Sequence, residues 1–213
     1  MSEKLIMSHE EANREGLDPI KLKHFFDVVV LGKTARADAY LNDFGQFDIE
    51  HLRDLTGKFL AHVLLDVDGC IAPPYGPIRD ENLGHIDDLK RRGVSFGVYS
   101  NCKGMERLQP LRQMDVPIYS GKHAKPAAKG FIEACESMNF DPNKTWMIGD
   151  NPLTDGGAVG VLEGTVFVKP IATDYRLIGS KLKRASMFFS GIFRKLALAR
   201  TLDGNKKIHR FLN

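Results

Sequence analysis

Between residues 62 and 168, short apolar runs alternate with stretches of helical periodicity, and this alternation constrains the fold more than any other feature of the sequence. Five runs have the length and composition of buried strands: residues 62–68, 94–100, 117–120, 145–149 and 165–168. Helical stretches fall between them, at residues 79–91, 105–114, 126–138 and 155–162. Strands that alternate with helices form βαβ units, so we predict an α/β fold with a mainly parallel sheet and flanking helices.

The segments on either side of this region carry weaker signals. Residues 1–58 read as a mostly helical extension, with a capping box at Ser8 and Glu11 that starts a short helix, a β-like run at residues 26–32, and helical spacing over residues 48–59. Residues 175–202 also show helical spacing, with apolar positions three and four apart. We therefore divide the chain into a mostly helical N-terminal extension (1–58), a central α/β core (59–171) and a basic C-terminal tail (172–213).

The charge is distributed unevenly along the chain. The tail from residue 172 contains ten Lys or Arg residues and two Asp, a net charge of +8. Because the whole chain carries +3, residues 1–171 carry −5. A basic, partly amphipathic tail is attracted to polyanions such as anionic lipid, and it is also typical of a solvated helix that packs on its own domain. The basic charge predicts peripheral membrane contact through this tail, with packing on its own domain or binding to a partner protein as the alternatives, and we expect no nucleic-acid partner.

Composition narrows the cellular context. The three cysteines show neither a disulfide framework nor the spacing of a zinc site, which favours reduced thiols. No apolar run reaches the roughly 18–20 residues of a membrane span, and the polar N-terminus lacks the apolar core of a secretory signal. We therefore expect a cytoplasmic protein, peripheral to the membrane where the tail binds.

Chemically useful residues follow the ends of the predicted strands. Two acids, Asp66 and Asp68, end the first strand, and two more, Asp150 and Asp155, follow the fourth. The second strand ends in Ser100-Asn101, and the segment after the third contains Lys125. In parallel sheets a site lies outside the carboxyl ends of the strands, so we expect these residues to meet.

Phosphoryl transfer requires such a set of residues. A carboxylate can act as the nucleophile and split hydrolysis into two easier steps. Mg²⁺, which prefers oxygen ligands, removes the repulsion between several acids. A hydroxyl, backbone N–H groups and a lysine then stabilise the charge of the phosphoryl group.

These motifs resemble those of the haloacid dehalogenase (HAD) superfamily of phosphohydrolases: Asp66-Val67-Asp68-Gly69, Ser100, Lys125, and Gly149-Asp150 with Asp155. The resemblance implies a Rossmann-like fold, with Asp66 as nucleophile and Asp68 as general acid and base. It implies Mg²⁺ held by Asp66, the Asp68 backbone carbonyl and Asp150, with Asp155 in support. It also implies a phosphate site formed by Ser100, Asn101, Lys125 and Gly69.

A narrower likeness concerns the segment from Lys125 to Ile171. Lys125-Pro126, a Gly-Asp-x-x-x-Thr-Asp motif that ends at Asp155, and a closing Val168-Lys169-Pro170 are similar to subfamily IIIA, which includes YqeG-like proteins and phosphatidylglycerophosphate phosphatases. Two departures concern the substrate: Gly69-Cys70 stands where this group has Asn-Thr, and Cys102 stands where it has a second Asn.

Several alternatives remain open at this stage. Lys122 rivals Lys125 as the phosphate-binding lysine. The spacing from Asp68 to Ser100, about thirty residues, and from Ser100 to Lys125 leaves no room for a cap domain. An open site suits a large phosphorylated substrate such as a lipid. The alternatives are a soluble sugar-phosphate or nucleotide phosphatase closed by oligomerisation, or a scaffold that retains the fold without catalysis.

Overall fold

A computed structural model describes residues 23–30, 37–101, 106–119, 121–173, 181–204 and 209–210. The capping-box helix predicted around Ser8 lies outside these residues. The described strands are β1 Ala39–Leu41, β2 His62–Leu65, β3 Ser95–Tyr99, β4 Ile118–Tyr119, β5 Thr145–Gly149, β6 Gly164–Val168 and β7 His209–Arg210. They form one sheet in the order β4-β3-β2-β5-β6-β1-β7, and every pair is parallel. The predicted α/β fold with a mainly parallel sheet is confirmed.

The helices connect and flank these strands. They are α1 Ile49–Thr56, α2 Asp80–Arg91, α3 Gln109–Gln113, α4 Ala128–Ser137 and α5 Lys181–Gly204. Single turns of 3₁₀-helix occur at Phe44–Gln46, Glu106–Leu108, Pro142–Lys144 and Asp155–Ala158. The sequence explains the limits of α1, because Asp48 accepts a capping hydrogen bond from the His51 N–H at 2.8 Å and Gly57 ends the helix at φ 68°.

The central strands are buried on both faces. Along β2, Val63 and Leu65 belong to one hydrophobic cluster and Leu64 to another, as the two-residue period of a strand requires. The first cluster contains Ile86 and Leu89 of α2, and the second contains residues of α4, including Phe131 and Ala134. Helices therefore cover both faces of the sheet, and its carboxyl end remains for the site.

The run at residues 26–32 was predicted to be β-like, and over the described residues 26–30 this prediction is wrong. Residues 23–30 are helical, with a π-helical stretch at Phe26–Val30. Periodicity alone cannot separate a short buried helix from a strand. Here the segment packs on α5, where Phe25 meets Phe193 edge-to-face with ring centroids 5.1 Å apart. Val28, three residues after Phe25, is buried on the same helical face.

The sheet includes strands from all three segments into which we divide the chain. β1, from the N-terminal extension, pairs with β6 on one side and with β7 of the tail on the other. In α5, Leu198 packs with Phe167 of β6 in a third, smaller cluster. Among the described helices, no segment combines the length and the hydropathy of a transmembrane span.

Candidate active site

The carboxyl ends of the central strands bring the polar motif residues together. Asp66 follows β2 directly, and its backbone N–H donates to the Ile148 carbonyl of β5 at 2.9 Å, so strand pairing continues into the site. Ser100 follows β3 and Asp150 follows β5. All three polar side chains are buried. Neighbouring parallel strands thus place residues that are distant in sequence side by side.

Lys125 is the central cation of the site. Its side chain is 1% exposed, and its Nζ lies 2.9 Å from Asp66 Oδ1 and 2.5 Å from Asp155 Oδ1. Burial alone would lower the pKa of Lys125, but the charges of Asp155 and Asp66 outweigh it and raise the pKa above its ordinary value. The lysine therefore stays protonated between the two carboxylates. Lys122, the rival by sequence, is exposed.

Asn101 holds the segment that carries Lys125. Its side-chain Nδ2 donates to the Lys125 carbonyl at 3.1 Å, and its Oδ1 accepts from the Lys125 backbone N–H at 3.0 Å. This reciprocal pair joins the end of β3 to the lysine segment. Asn101 was predicted to bind phosphate, and the geometry adds a positioning role to that prediction.

Asp155 is fixed from two directions. One carboxylate oxygen accepts from Lys125, and the other accepts from the Asn151 N–H at 3.0 Å. A Cβ on Gly149 would lie 2.1 Å from Asp155 Oδ2, so glycine at the end of β5 makes room for the carboxylate. Burial raises the pKa of Asp155 to about 6, against the opposing effect of Lys125.

Three buried acids form a cluster that fits a divalent cation. Carboxylate oxygens of Asp66, Asp150 and Asp155 all lie within 4.8 Å of one another. Burial, followed by the charges of the two neighbouring acids, raises the pKa of Asp150 to about 8, against the opposing charge of Arg194. An added cation stabilises the ionised forms of acids that raise one another's pKa in this way. Their hard oxygen donors suit Mg²⁺.

The Asp68 side chain points elsewhere. Its Oδ1 lies 2.5 Å from Arg107 Nη2 and accepts from the Tyr75 backbone N–H at 3.1 Å. Arg107 also donates to the Gly76 carbonyl, so it ties the loop after the first motif to Asp68. Burial and the nearby Asp66 charge raise the pKa of Asp68, and Arg107 opposes that shift. Asp68 therefore lies beside the acid cluster with a separate cationic partner.

Gly69 is confined by both its conformation and its neighbours. Its φ of 85° favours glycine, and a Cβ there would lie 2.2 Å from Asp150 Oδ2. Its N–H donates to the Ala72 carbonyl at 2.8 Å, and its own carbonyl accepts from the Ile171 N–H at 2.8 Å. Gly69 was predicted to bind phosphate. In this structure its N–H closes the loop after the first motif.

Two arginines of the site were not identified from sequence. Arg107 precedes α3, and nothing in its spacing distinguishes it from the other basic residues of the chain. Arg194 was counted only in the charge of the tail, yet its Nη1 lies 2.5 Å from Asp150 Oδ2. The contact joins residues 44 positions apart in sequence, and it arises because α5 folds back over the carboxyl end of the sheet.

Comparison with known proteins identifies the family. A family model described as haloacid dehalogenase-like hydrolase matches residues 2–158, most of the chain. This protein therefore belongs to the haloacid dehalogenase-like hydrolases, and the predicted superfamily is confirmed. The finer likeness to subfamily IIIA remains a prediction. No curated protein gives a significant match.

Solved structures give distant similarities. A cobalt-bound deoxy-D-mannose-octulosonate 8-phosphate phosphatase from Haemophilus influenzae is 11% identical, with TM-score 0.43 over 65% of this chain and 89% of that one. An uncharacterized protein from Listeria monocytogenes is 15% identical, with TM-score 0.41 over 62% of this chain and 99% of that one. An uncharacterized protein from Corynebacterium glutamicum is 20% identical, with TM-score 0.39 over 63% and 95%.

Proposed function

We propose that this hydrolase is a Mg²⁺-dependent phosphomonoesterase that works through an aspartyl-phosphate on Asp66. One observation carries the proposal: the Asp66 carboxylate is held at the end of β2 by Lys125 and shares a cluster with Asp150 and Asp155. A nucleophilic carboxylate needs a nearby positive charge to approach an anionic phosphoryl group. Lys125 supplies one such charge, and the acid cluster fits a second.

The proposed reaction has two steps. In the first, an Asp66 oxygen attacks phosphorus, the bond from phosphorus to the substrate oxygen breaks, and Asp68 donates its proton to that leaving oxygen. In the second, Asp68 removes a proton from water while the water oxygen attacks the phosphorus of the aspartyl-phosphate. Inorganic phosphate leaves, and the Asp66 carboxylate and the protonated Asp68 are restored. The raised pKa of Asp68 favours the acid form that the first step requires.

The roles of the remaining residues follow from their contacts. Lys125 and Ser100 would bind the phosphoryl oxygens, and Asn101 would fix the segment that carries the lysine. The carboxylates of Asp66 and Asp150 and the Asp68 backbone carbonyl would hold Mg²⁺, with Asp155 in support. When bound, the ion would neutralise charge between the acids and the phosphoryl group.

The mechanism is tested by replacing the nucleophile. We expect Asp66→Asn to reduce Mg²⁺-dependent hydrolysis of para-nitrophenyl phosphate by at least about a thousandfold, since the neutral amide of Asn cannot attack phosphorus as a carboxylate does. Acid-quench labelling with a ³²P-phosphorylated substrate should detect phosphoenzyme in the wild type and none in the variant. Asp87→Asn, a matched change of a largely exposed residue on α2, is the control. An Asp66→Asn enzyme with full activity would refute the mechanism.

The substrate that we propose is a lipid phosphate at an anionic membrane surface. α5 exposes a row of large apolar side chains: Phe188, Phe189, Ile192, Phe193 and Leu196. The same helix carries exposed Lys181, Arg184, Lys195 and Arg200, and its Arg194 reaches the acid cluster. An apolar face flanked by basic residues is the pattern of a helix that lies in an anionic lipid interface. Here that face adjoins the site itself.

Vesicle binding tests the substrate class. We expect the protein to sediment with phosphatidylglycerol vesicles, less with phosphatidylcholine vesicles, and less as salt rises. Phe188→Ser with Phe189→Ser should abolish sedimentation and leave hydrolysis of para-nitrophenyl phosphate unchanged. Equal turnover of sugar phosphates, nucleotides and lipid phosphates without vesicle binding would overturn the lipid proposal and favour a small soluble substrate.

We place the protein at the cytoplasmic face of that membrane. Cys70 and Cys135 are free and buried among apolar residues, which suits a reducing compartment. Burial raises the pKa of both thiols, so each stays protonated and unreactive in the folded protein. Fractionation of cells should find the protein partly on membranes and released from them by high salt.

A further inference from the structure

Arg194 inserts a positive charge into the acid cluster from outside the catalytic motifs. Its Nη1 lies 2.5 Å from Asp150 Oδ2, and its side chain is 17% exposed. Gly69 makes this approach possible, because a Cβ there would lie 3.1 Å from the same nitrogen. The family match ends at residue 158, so Arg194 belongs to a part of the chain beyond the matched family region.

The charge balance of the cluster disfavours a divalent cation beside Arg194. When Asp66, Asp150 and Asp155 are all ionised, as ligation of a divalent ion requires, Lys125 and Arg194 bring the net charge to −1. A divalent ion added to this set would make it +1, whereas an ion that replaces Arg194 would bring it to zero. Both cations would also use the Asp150 carboxylate. Like charges on one buried carboxylate repel strongly, so replacement is favoured over coexistence.

The packing of α5 shows how Arg194 could leave. After Arg194, the helix is anchored, since Ala197, Leu198 and Thr201 are buried. Before it, the described side chains are mostly exposed, including Phe188 and Phe189. The turn of α5 around Phe188 and Phe189 therefore has few apolar contacts to lose when the guanidinium moves away from Asp150, whereas Phe193 contacts Phe25.

We propose that Arg194 is a tethered cation that occupies Asp150 in the metal-free protein and is displaced when a divalent ion binds. The proposal rests on the proposed metal site and adds a regulation to it: docking of the first half of α5 and binding of Mg²⁺ oppose each other. In the metal-free enzyme, Arg194 then neutralises Asp150. Binding of the ion replaces Arg194 there and releases the first half of α5.

Calorimetric titration of the full-length protein with Mg²⁺ tests the competition directly. We expect Arg194→Ala to bind Mg²⁺ about tenfold more tightly than wild type, because no tethered charge has to be displaced. Arg194→Lys should fall between them, since it keeps the charge without the fork of the guanidinium. Lys195→Ala removes the same charge from the neighbouring exposed position and should change affinity less than about twofold.

A second measurement follows the helix itself. Limited trypsin digestion of wild type should cleave within residues 181–195 faster when Mg²⁺ is present, and Asp150→Asn should abolish that acceleration. Equal or weaker Mg²⁺ affinity in a folded Arg194→Ala protein would overturn the inference and leave the metal site intact. If neither wild type nor Arg194→Ala binds Mg²⁺, the proposed metal site and this inference both fail.

Discussion

At the scale of single residues, Asp68 differs from the other acids of the site in its cationic partner. Asp66 and Asp155 share the buried Lys125, whereas Asp68 pairs with Arg107 near the surface. This separation suits the two proposed roles, because a nucleophile must remain ionised and a general acid must hold a proton at working pH. Burial and the Asp66 charge raise the pKa of Asp68, and Arg107 limits how far it rises.

Removal of Arg107 should therefore change the pH profile. Loss of a positive charge beside Asp68 disfavours its carboxylate, so the pKa of Asp68 rises further in Arg107→Gln. The first step needs the protonated acid, and the basic limb of kcat/KM should move to higher pH by roughly half a unit to one unit.

The control for this prediction is Arg112→Gln, at an exposed position on α3, which should leave the limb in place. A basic limb that moves to lower pH in Arg107→Gln would show that the limb does not report Asp68. Loss of activity at every pH with an unchanged profile would assign Arg107 to substrate binding instead of tuning.

Sequence position alone identifies the residues that follow strands. Asp66, Ser100 and Asp150 each come directly after a central strand, and the parallel sheet then requires them to converge. Arg107 and Arg194 have no such positional signal, because their contacts depend on how α3 and α5 pack in three dimensions. The residues at the strand ends can thus be predicted from sequence, whereas the two arginines that contact them cannot.

At the scale of elements, two glycines within helices have opposite surroundings. Gly84 lies in α2, where an added Cβ would meet no atom within 4 Å. Gly130 lies in α4, where an added Cβ would be 2.1 Å from Tyr99 Oη and 2.8 Å from the His123 carbonyl. The same substitution therefore changes only backbone entropy at the first position and forces a clash at the second.

We expect Gly84→Ala to raise the free energy of unfolding by roughly 0.5–1 kcal/mol, because alanine has the higher helix propensity. Gly130→Ala should lower it by roughly 1–3 kcal/mol, since α4 must shift away from β3. Urea unfolding of both variants measures the two changes in the free energy of unfolding. A Gly130→Ala protein as stable as wild type would mean that α4 packs farther from the sheet than the structure shows.

The clash caused by Gly130→Ala should also disturb the candidate active site. Tyr99 donates to the His123 carbonyl at 3.0 Å, and its ring lies 5.7 Å from Lys125 Nζ. A displaced Tyr99 disturbs the segment that carries the lysine, so kcat should fall in Gly130→Ala and stay unchanged in Gly84→Ala.

Elements with a long pattern were predictable, and short ones were not. α2 and α4 show several turns of amphipathic spacing and occur within two residues of their predicted limits. β1 and β7 have three and two residues, too few for any period to appear. Residues 26–30 carry a β-like composition, yet packing against α5 makes them helical.

At the scale of the whole molecule, the spacing of the motifs predicts that no cap domain is inserted between them, and the described residues from 68 to 125 contain only α2, β3, α3, β4 and one turn of 3₁₀-helix. It does not predict that segments near both ends of the chain contact the site. Arg194 of α5 contacts Asp150, and His24 hydrogen-bonds to the Pro152 carbonyl at 3.1 Å, in the loop that follows Asp150. Such contacts join segments outside the motif region to residues within it, and the spacing of the motifs contains no information about them.

Binding of Mg²⁺ and binding of a membrane should therefore both affect the first half of α5. If Mg²⁺ releases the first half of α5, the apolar side chains there, Phe188 and Phe189, become more available to lipid. Linkage is reciprocal, so vesicles that capture this half must also strengthen Mg²⁺ binding by the same factor. The expected coupling is about fivefold to tenfold, within the usual range for two sites on one protein.

Vesicle sedimentation with and without Mg²⁺, together with Mg²⁺ titration with and without phosphatidylglycerol vesicles, measures both directions of this coupling. In Arg194→Ala the coupling should vanish, because α5 is already released and vesicles gain nothing from the ion. Since Mg²⁺ also screens anionic lipid, Asp150→Asn supplies the baseline for that effect. Equal coupling in wild type and Arg194→Ala would separate the two events and assign membrane binding to a surface independent of the site.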